Sequence, residues 1–141
     1  MNKTANINNV FDISGRAMAA QMVRLNTIAS NLANASAVAG SSEEAYRAVR
    51  PIFETKYAKN AALSGMSTID TQAVVQLRRE PEQVHMPEHP KADKDGFIYT
   101  SAVSAEEEMV DMLDANRQYQ NNIEVVTTVR ALMMRTISMG K

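Results

Sequence analysis

The chain has no cysteine and no tryptophan, and only three phenylalanines and four tyrosines among 141 residues. Without cysteine there is neither a disulfide framework nor a thiolate metal site. That suits a protein working outside the cytoplasm, and equally many inside it. Proline is scarce: four in all, none within residues 1–50. A long helix there meets no break. Neither sign of charge dominates, with 15 basic against 16 acidic residues and a net charge of −1. This argues against nucleic acid as the main partner, because phosphate binding needs a concentrated basic surface. No apolar run approaches the roughly 18 residues of a membrane-spanning helix, so no direct span is expected. The polar start, Met1 to Asn9, lacks the apolar core and small-residue cleavage site of a secretory leader.

Methionine is abundant by contrast, at ten residues. It fills irregular gaps in helical cores and also suits surfaces that pack against differing neighbours. Near the N-terminus Phe11, Met18, Leu25 and Leu32 recur every seven residues, with Met22, Ile28 and Ala29 beside them. This is an apolar stripe at helical spacing, predicting a helix over about Asn8 to Asn34, weakened locally at Gly15. The C-terminal pattern is stronger. Ser104 followed by Glu107 fits a capping box, and Glu106, Glu107 and Glu108 place negative charge at the positive end of the helix dipole. Met112, Tyr119, Val126 and Met133 then repeat by sevens, as does a flanking row of Met109, Asn116, Ile123, Arg130 and Ile137. Gly140 supplies a stop after about 35 residues. Asn116 and Arg130 interrupt the flanking row, either as buried residues that fix register or as residues of a solvent edge.

Two long helices at the two ends of a short chain most simply bury their stripes on each other as a coiled-coil pair. Between them, residues 33–44 are small and polar and read as a linker. From Val49 to Tyr57 the pattern alternates, predicting a strand with Pro51 at an edge. Ser41 with Glu44 offers an alternative there, capping a short helix that ends before Pro51. Ala73 to Arg78 is a second strand candidate, and Phe97–Tyr99 a third after an Asp95-Gly96 turn. Asn60 to Ser67 reads as a mobile connection. The fold class expected is therefore mainly α: paired terminal helices forming a coiled-coil-like stem, with a small β-containing middle domain. The boundaries are 1–36 for the N-terminal stem helix, 37–102 for linker and middle domain, and 103–141 for the C-terminal stem helix.

Sites of chemistry are weak. His85 and His89 are four apart, but Pro81, Pro87 and Pro90 exclude the helix that would set both on one face, so no metal site is expected. Asp93-Lys94-Asp95-Gly96 is a fragment of a calcium loop without the distal glutamate and reads as a turn. No phosphate loop, dinucleotide fingerprint or nucleophile elbow occurs, and neither a catalytic role nor a cofactor is expected.

Particular segments carry a resemblance. Phe11-Asp12-Ile13-Ser14-Gly15, leading to Ala29-Ser30-Asn31-Leu32-Ala33-Asn34-Ala35, resembles the N-terminal signature of flagellar rod, hook and related axial proteins. The run Glu108 to Asn122 looks like the matching C-terminal helix. Tyr46 to Glu54 and His89 to Tyr99 resemble a proximal rod member of that family. Thr100-Ser101-Ala102-Val103 depart from its usual Pro-Asn-Val pattern. The resemblance implies a structural subunit of the bacterial flagellar basal body, exported through the type III apparatus without a cleaved signal. It would sit in the proximal rod, the drive shaft that crosses the periplasm. Its terminal helices would line a helical tube that transmits torque and carries the export channel. Its neighbours would be copies of itself, other proximal rod proteins and the distal rod protein.

The assembly interface expected on this basis sets Phe11, Met18, Met22, Leu25, Ile28 and Leu32 against Met109, Met112, Tyr119, Ile123, Val126 and Met133. Two other readings stand beside it: a cytoplasmic helical coiled-coil adaptor, which the internal resemblance does not support, and a different proximal rod protein.

Overall fold

A computed structural model describes residues 3–57 and 67–140. Helix α1 spans Lys3–Asn34 and helix α2 spans Ala105–Met139. Strands β1 (Val38–Ala39), β2 (Val49–Tyr57), β3 (Ser67–Gln76), β4 (Gln83–His85) and β5 (Phe97–Thr100) lie between them. At 1.5 Å per residue the helices are about 48 and 53 Å long, nearly matched. They pair antiparallel: Gln21 meets Gln118, Arg24 meets Asp114 and Asp111, and Asn31 meets Glu108. Rising numbers on α1 meet falling numbers on α2, as a stem built from the two chain ends requires. The expected class, paired terminal helices with a small β middle, is the fold observed.

Local chemistry sets the helix ends. Ser104 Oγ accepts from the Glu107 amide at 3.3 Å and caps α2. The box is only half made, because the Glu107 carboxylate turns instead to Arg79 at 3.3 Å. The Gly140 amide donates back to the Ile137 carbonyl and ends the helix. Helix α1 begins at Lys3, five residues before the expected Asn8. The Asn-rich start gives no apolar period from which to read that turn.

Strands β2 and β3 form an antiparallel hairpin, with Val49 opposite Gln76 and Tyr57 opposite Ser67, and a bulge between Ile52 and Phe53. With only two strands, every ladder edge is a sheet edge, which accommodates Pro51. Strand β3 starts six residues before the expected Ala73 and ends at Gln76, short of Arg78. Its first half, Ser67-Thr68-Ile69-Asp70-Thr71, is strand-like but too polar to stand out. Of the Asn60–Ser67 connection, residues 60–66 lie outside the described residues, and Ser67 opens β3. The hairpin lies along α1, with Val49 bonded to Asn31 and Asp70 3.8 Å from Arg16.

The second sheet has the order β1-β5-β4. Val38 pairs with Thr100 and Ala39 with Tyr99, so the expected linker contributes a strand. Ser41 does cap the Glu44 amide, at 3.3 Å, but only a single turn follows before β2. The Asp95-Gly96 turn forms as expected. Gly96 sits at φ +83°, and Asp93 Oδ1 accepts from the amides of Asp95 and Phe97. The apolar core is made of small residues, Ala20, Ala45, Ala48, Ala102 and Ala115, with Ile28 and Ile98. So thin a core leaves much of the cohesion to other interactions.

A polar hub and the candidate assembly interface

Asn31, in the last turns of α1, is fully buried and uses all four of its side-chain hydrogen-bonding positions. Its Nδ2 donates to the Val49 carbonyl and to Glu108 Oε2, both at 3.0 Å. Its Oδ1 accepts from the Val49 amide at 2.8 Å and from the Tyr46 hydroxyl at 3.2 Å. One side chain thus satisfies both backbone groups where β2 begins, as a neighbouring strand would, and reaches α2 as well. Helix, hairpin and helix are fastened at one atom group.

Glu108 is 1% exposed, and its second oxygen takes an ion pair from Arg50 at 2.8 Å. Arg50 also binds Asp111. Asp111 and Asp114 in turn hold Arg24, at 3.2 and 3.1 Å. Gln118 donates to Asp114 at 2.8 Å. That bond is the main reason the Asp114 carboxyl lies below its ordinary range; desolvation opposes it, and Arg24 and Arg117 add to the lowering. Buried carboxylates persist only when paired and hydrogen-bonded, and here each carboxylate of the seam faces an arginine or an amide. The network specifies register: a shift of one residue along either helix would leave Glu108 without Asn31 or Arg50.

The expected interface residues divide. Ile28 is buried, and Phe11, Met18, Leu25 and Leu32 are half-buried along α1, but Met22 is exposed. On α2, Met112, Tyr119, Val126 and Met133 are half-buried. Met109 and Ile123 are 60% and 42% exposed, and the whole flanking row through Asn116, Arg130 and Ile137 faces solvent. The second row of the seam is instead Glu108, Ala115, Asn122 and Val129, one residue away. Apolarity alone misplaced it, because two of those four side chains are polar. Asn31, Glu108, Arg50 and Arg24 were therefore missed as a set. One signal was present: Glu108 lies at heptad spacing from Ala115, in step with Met112 and Tyr119, where a purely solvating glutamate would not sit.

The histidines do not converge. The His85 ring meets the edge of Phe97 at 4.9 Å, while His89 Nδ1 accepts from the Lys91 amide. Among the described residues, no three of His, Asp or Glu gather as a metal site would need. No helix there is long and apolar enough to cross a membrane.

A two-helix stem closed by a chain's own ends, locked by a polar hub and leaving large apolar side chains exposed outside, defines a structural subunit with surface left for packing among others. The comparisons with known proteins agree. The family described as "Flagella basal body rod protein" matches residues 11–40, and "Flagellar basal body rod FlgEFG protein C-terminal" matches residues 94–139. The flagellar basal-body rod protein FlgC of Escherichia coli O6:H1 is 39% identical over 133 residues, covering 94% of this chain and 97% of that protein. FlgC of Salmonella typhimurium agrees to the same extent, and FlgC of Aquifex aeolicus is 33% identical over 135 residues. The chain belongs to the FlgC family of flagellar basal-body rod proteins.

Proposed function

We propose that the chain is a structural subunit of the flagellar basal-body rod, self-assembling with other rod proteins into the tube that transmits torque across the periplasm and carries the export channel. The observation that supports this most is the identity of 39% to FlgC over 94% of the chain. The fold supports it physically. A stem that saturates its own seam with a polar hub leaves its outer apolar surface for neighbours, and heterologous contacts that do not close generate open polymers.

In this reading residues 1–36 and 103–141 form the stem, and residues 37–102 pack around it. Neighbours are copies of the chain, other proximal rod proteins and the distal rod protein, reached through the flagellar type III apparatus. The chain acts by packing, with no catalytic step. The half-buried stripe through Phe11, Met18, Leu25 and Leu32, and its counterpart through Met112, Tyr119, Val126 and Met133, hold the stem. The exposed Met22, Met109 and Ile123 face other subunits. Complementation of a strain lacking the chain tests this. The wild-type sequence restores swimming and rod completion. Normal swimming without the chain would contradict the reading.

A further inference from the structure

Strands β2 and β3 are held differently at the two ends of their hairpin. At its root, buried groups fix it. Ala48, just before β2, is 4% exposed, and its carbonyl accepts from the Leu77 amide at 2.8 Å. Asn31 takes both backbone groups of Val49, and Arg50 reaches the buried Glu108. Past Ile52 the support changes. The register passes from Ile52 opposite Ala73 to Phe53 opposite Thr71, so Gln72 is an extra residue without a cross-strand partner. Such a bulge interrupts the ladder and bends the strand. No residue in 52–55 or in β3 is buried, although Ile52, Phe53 and Ile69 are large and apolar. The tip is therefore not held by a packed apolar core.

An ionic tie from the tip to the stem is the pair of Arg16 with Asp70, at 3.8 Å, with side chains 45% and 42% exposed. That separation is beyond hydrogen bonding, and exposed pairs of this kind contribute little. Arg16 meanwhile donates from Nε to both oxygens of Asp12, one helical turn earlier, at 3.3 and 3.2 Å. When the tip swings away, Arg16 keeps a carboxylate and the exposed Asp70 gains water, so neither charge is left bare. We infer that the distal half of the hairpin, residues 53–57 with 67–71, is a hinged arm that pivots at the Gln72 bulge, with Arg16 as its latch. Closed, Asp70 lies against Arg16; open, Arg16 retains Asp12 alone. The arm gives the chain two outer shapes over one fixed stem. It is a property of the single chain and does not rest on the rod reading.

The full chain has no cysteine, so introduced cysteines carry spin labels at chosen places. Double electron–electron resonance compares two pairs that share a label at exposed Asn121→Cys. One sets the partner label on the tip at Thr55→Cys, the other on the root at Gln76→Cys, both exposed positions. The root pair gives one narrow distance. The tip pair gives two. Raising salt from about 0.01 M to about 1 M shortens the Debye length from roughly 30 to 3 Å and about doubles the population at the longer tip distance. Asp12 pairs with Arg16 in both settings, so the screening of that pair cancels. At low salt two variants shift the balance in opposite senses. Arg16→Gln removes the latch and raises the longer-distance population. Asp12→Asn removes the rival carboxylate and lowers it. A single tip distance, unchanged by salt and by both variants, overturns the inference. So does a root distance that broadens together with the tip, or a shift of the same sign in the two variants.

Discussion

Asn31 sets the terms at the scale of single residues. Asn31→Ala removes four hydrogen bonds and strands the Val49 amide and one oxygen of buried Glu108. An unsatisfied buried group costs about 1–3 kcal/mol, so a loss of about 3 kcal/mol or more is expected in a urea melt of the purified chain. Asn31→Asp tests the electrostatics. The new carboxylate would sit against Glu108, and the two would share a proton in the folded state. The folded state then binds more protons than the unfolded one. The variant is therefore most stable in acid and weakens as pH rises toward neutrality. A variant that melts identically from pH 4 to pH 8 would contradict the geometry of the hub. Gly96 is a smaller case. An added Cβ there would meet Pro87 Cβ at 3.1 Å and His85 Nε2 at 3.2 Å, in a left-handed conformation. Gly96→Ala should cost about 1–2 kcal/mol, read as a lower melting temperature.

The two helices hold together through a seam that is polar at its centre and apolar along its flanks. Asp114 carries a pH signature for this element. Its folded carboxyl lies below the ordinary 3.8, so its contribution is full above that value and is lost as pH falls through the depressed one. Asp114→Asn should flatten that part of the acid-unfolding curve, followed by helical circular dichroism. At this scale much was legible beforehand. The seven-residue recurrence of Met112, Tyr119, Val126 and Met133 located α2 and one row of its seam, and Ser104 and Gly140 marked its ends. The hub was not legible, because Asn31, Arg50 and Glu108 are 19 and 58 residues apart in sequence. Only the fold brings them together, and periodicity counts each as an interruption. Strand β1 was hidden for a related reason. Val38-Ala39 has no pattern of its own and becomes a strand by pairing with β5.

For the whole molecule, a thin core rich in alanine makes stability depend on the stem. Leu25→Asp or Val126→Asp places a charge in the half-buried flanks of the seam. Each should abolish rod incorporation and swimming, scored on motility agar and by immunoblot of basal bodies. Full motility with both changes present would show that these stripes do not carry assembly. That the chain is a structural part of the rod is best checked by mass spectrometry of detergent-purified basal bodies from the source organism. Peptides of this chain are expected in basal bodies, alongside those of the other rod proteins. Basal bodies that contain the other rod proteins but none of its peptides would contradict it.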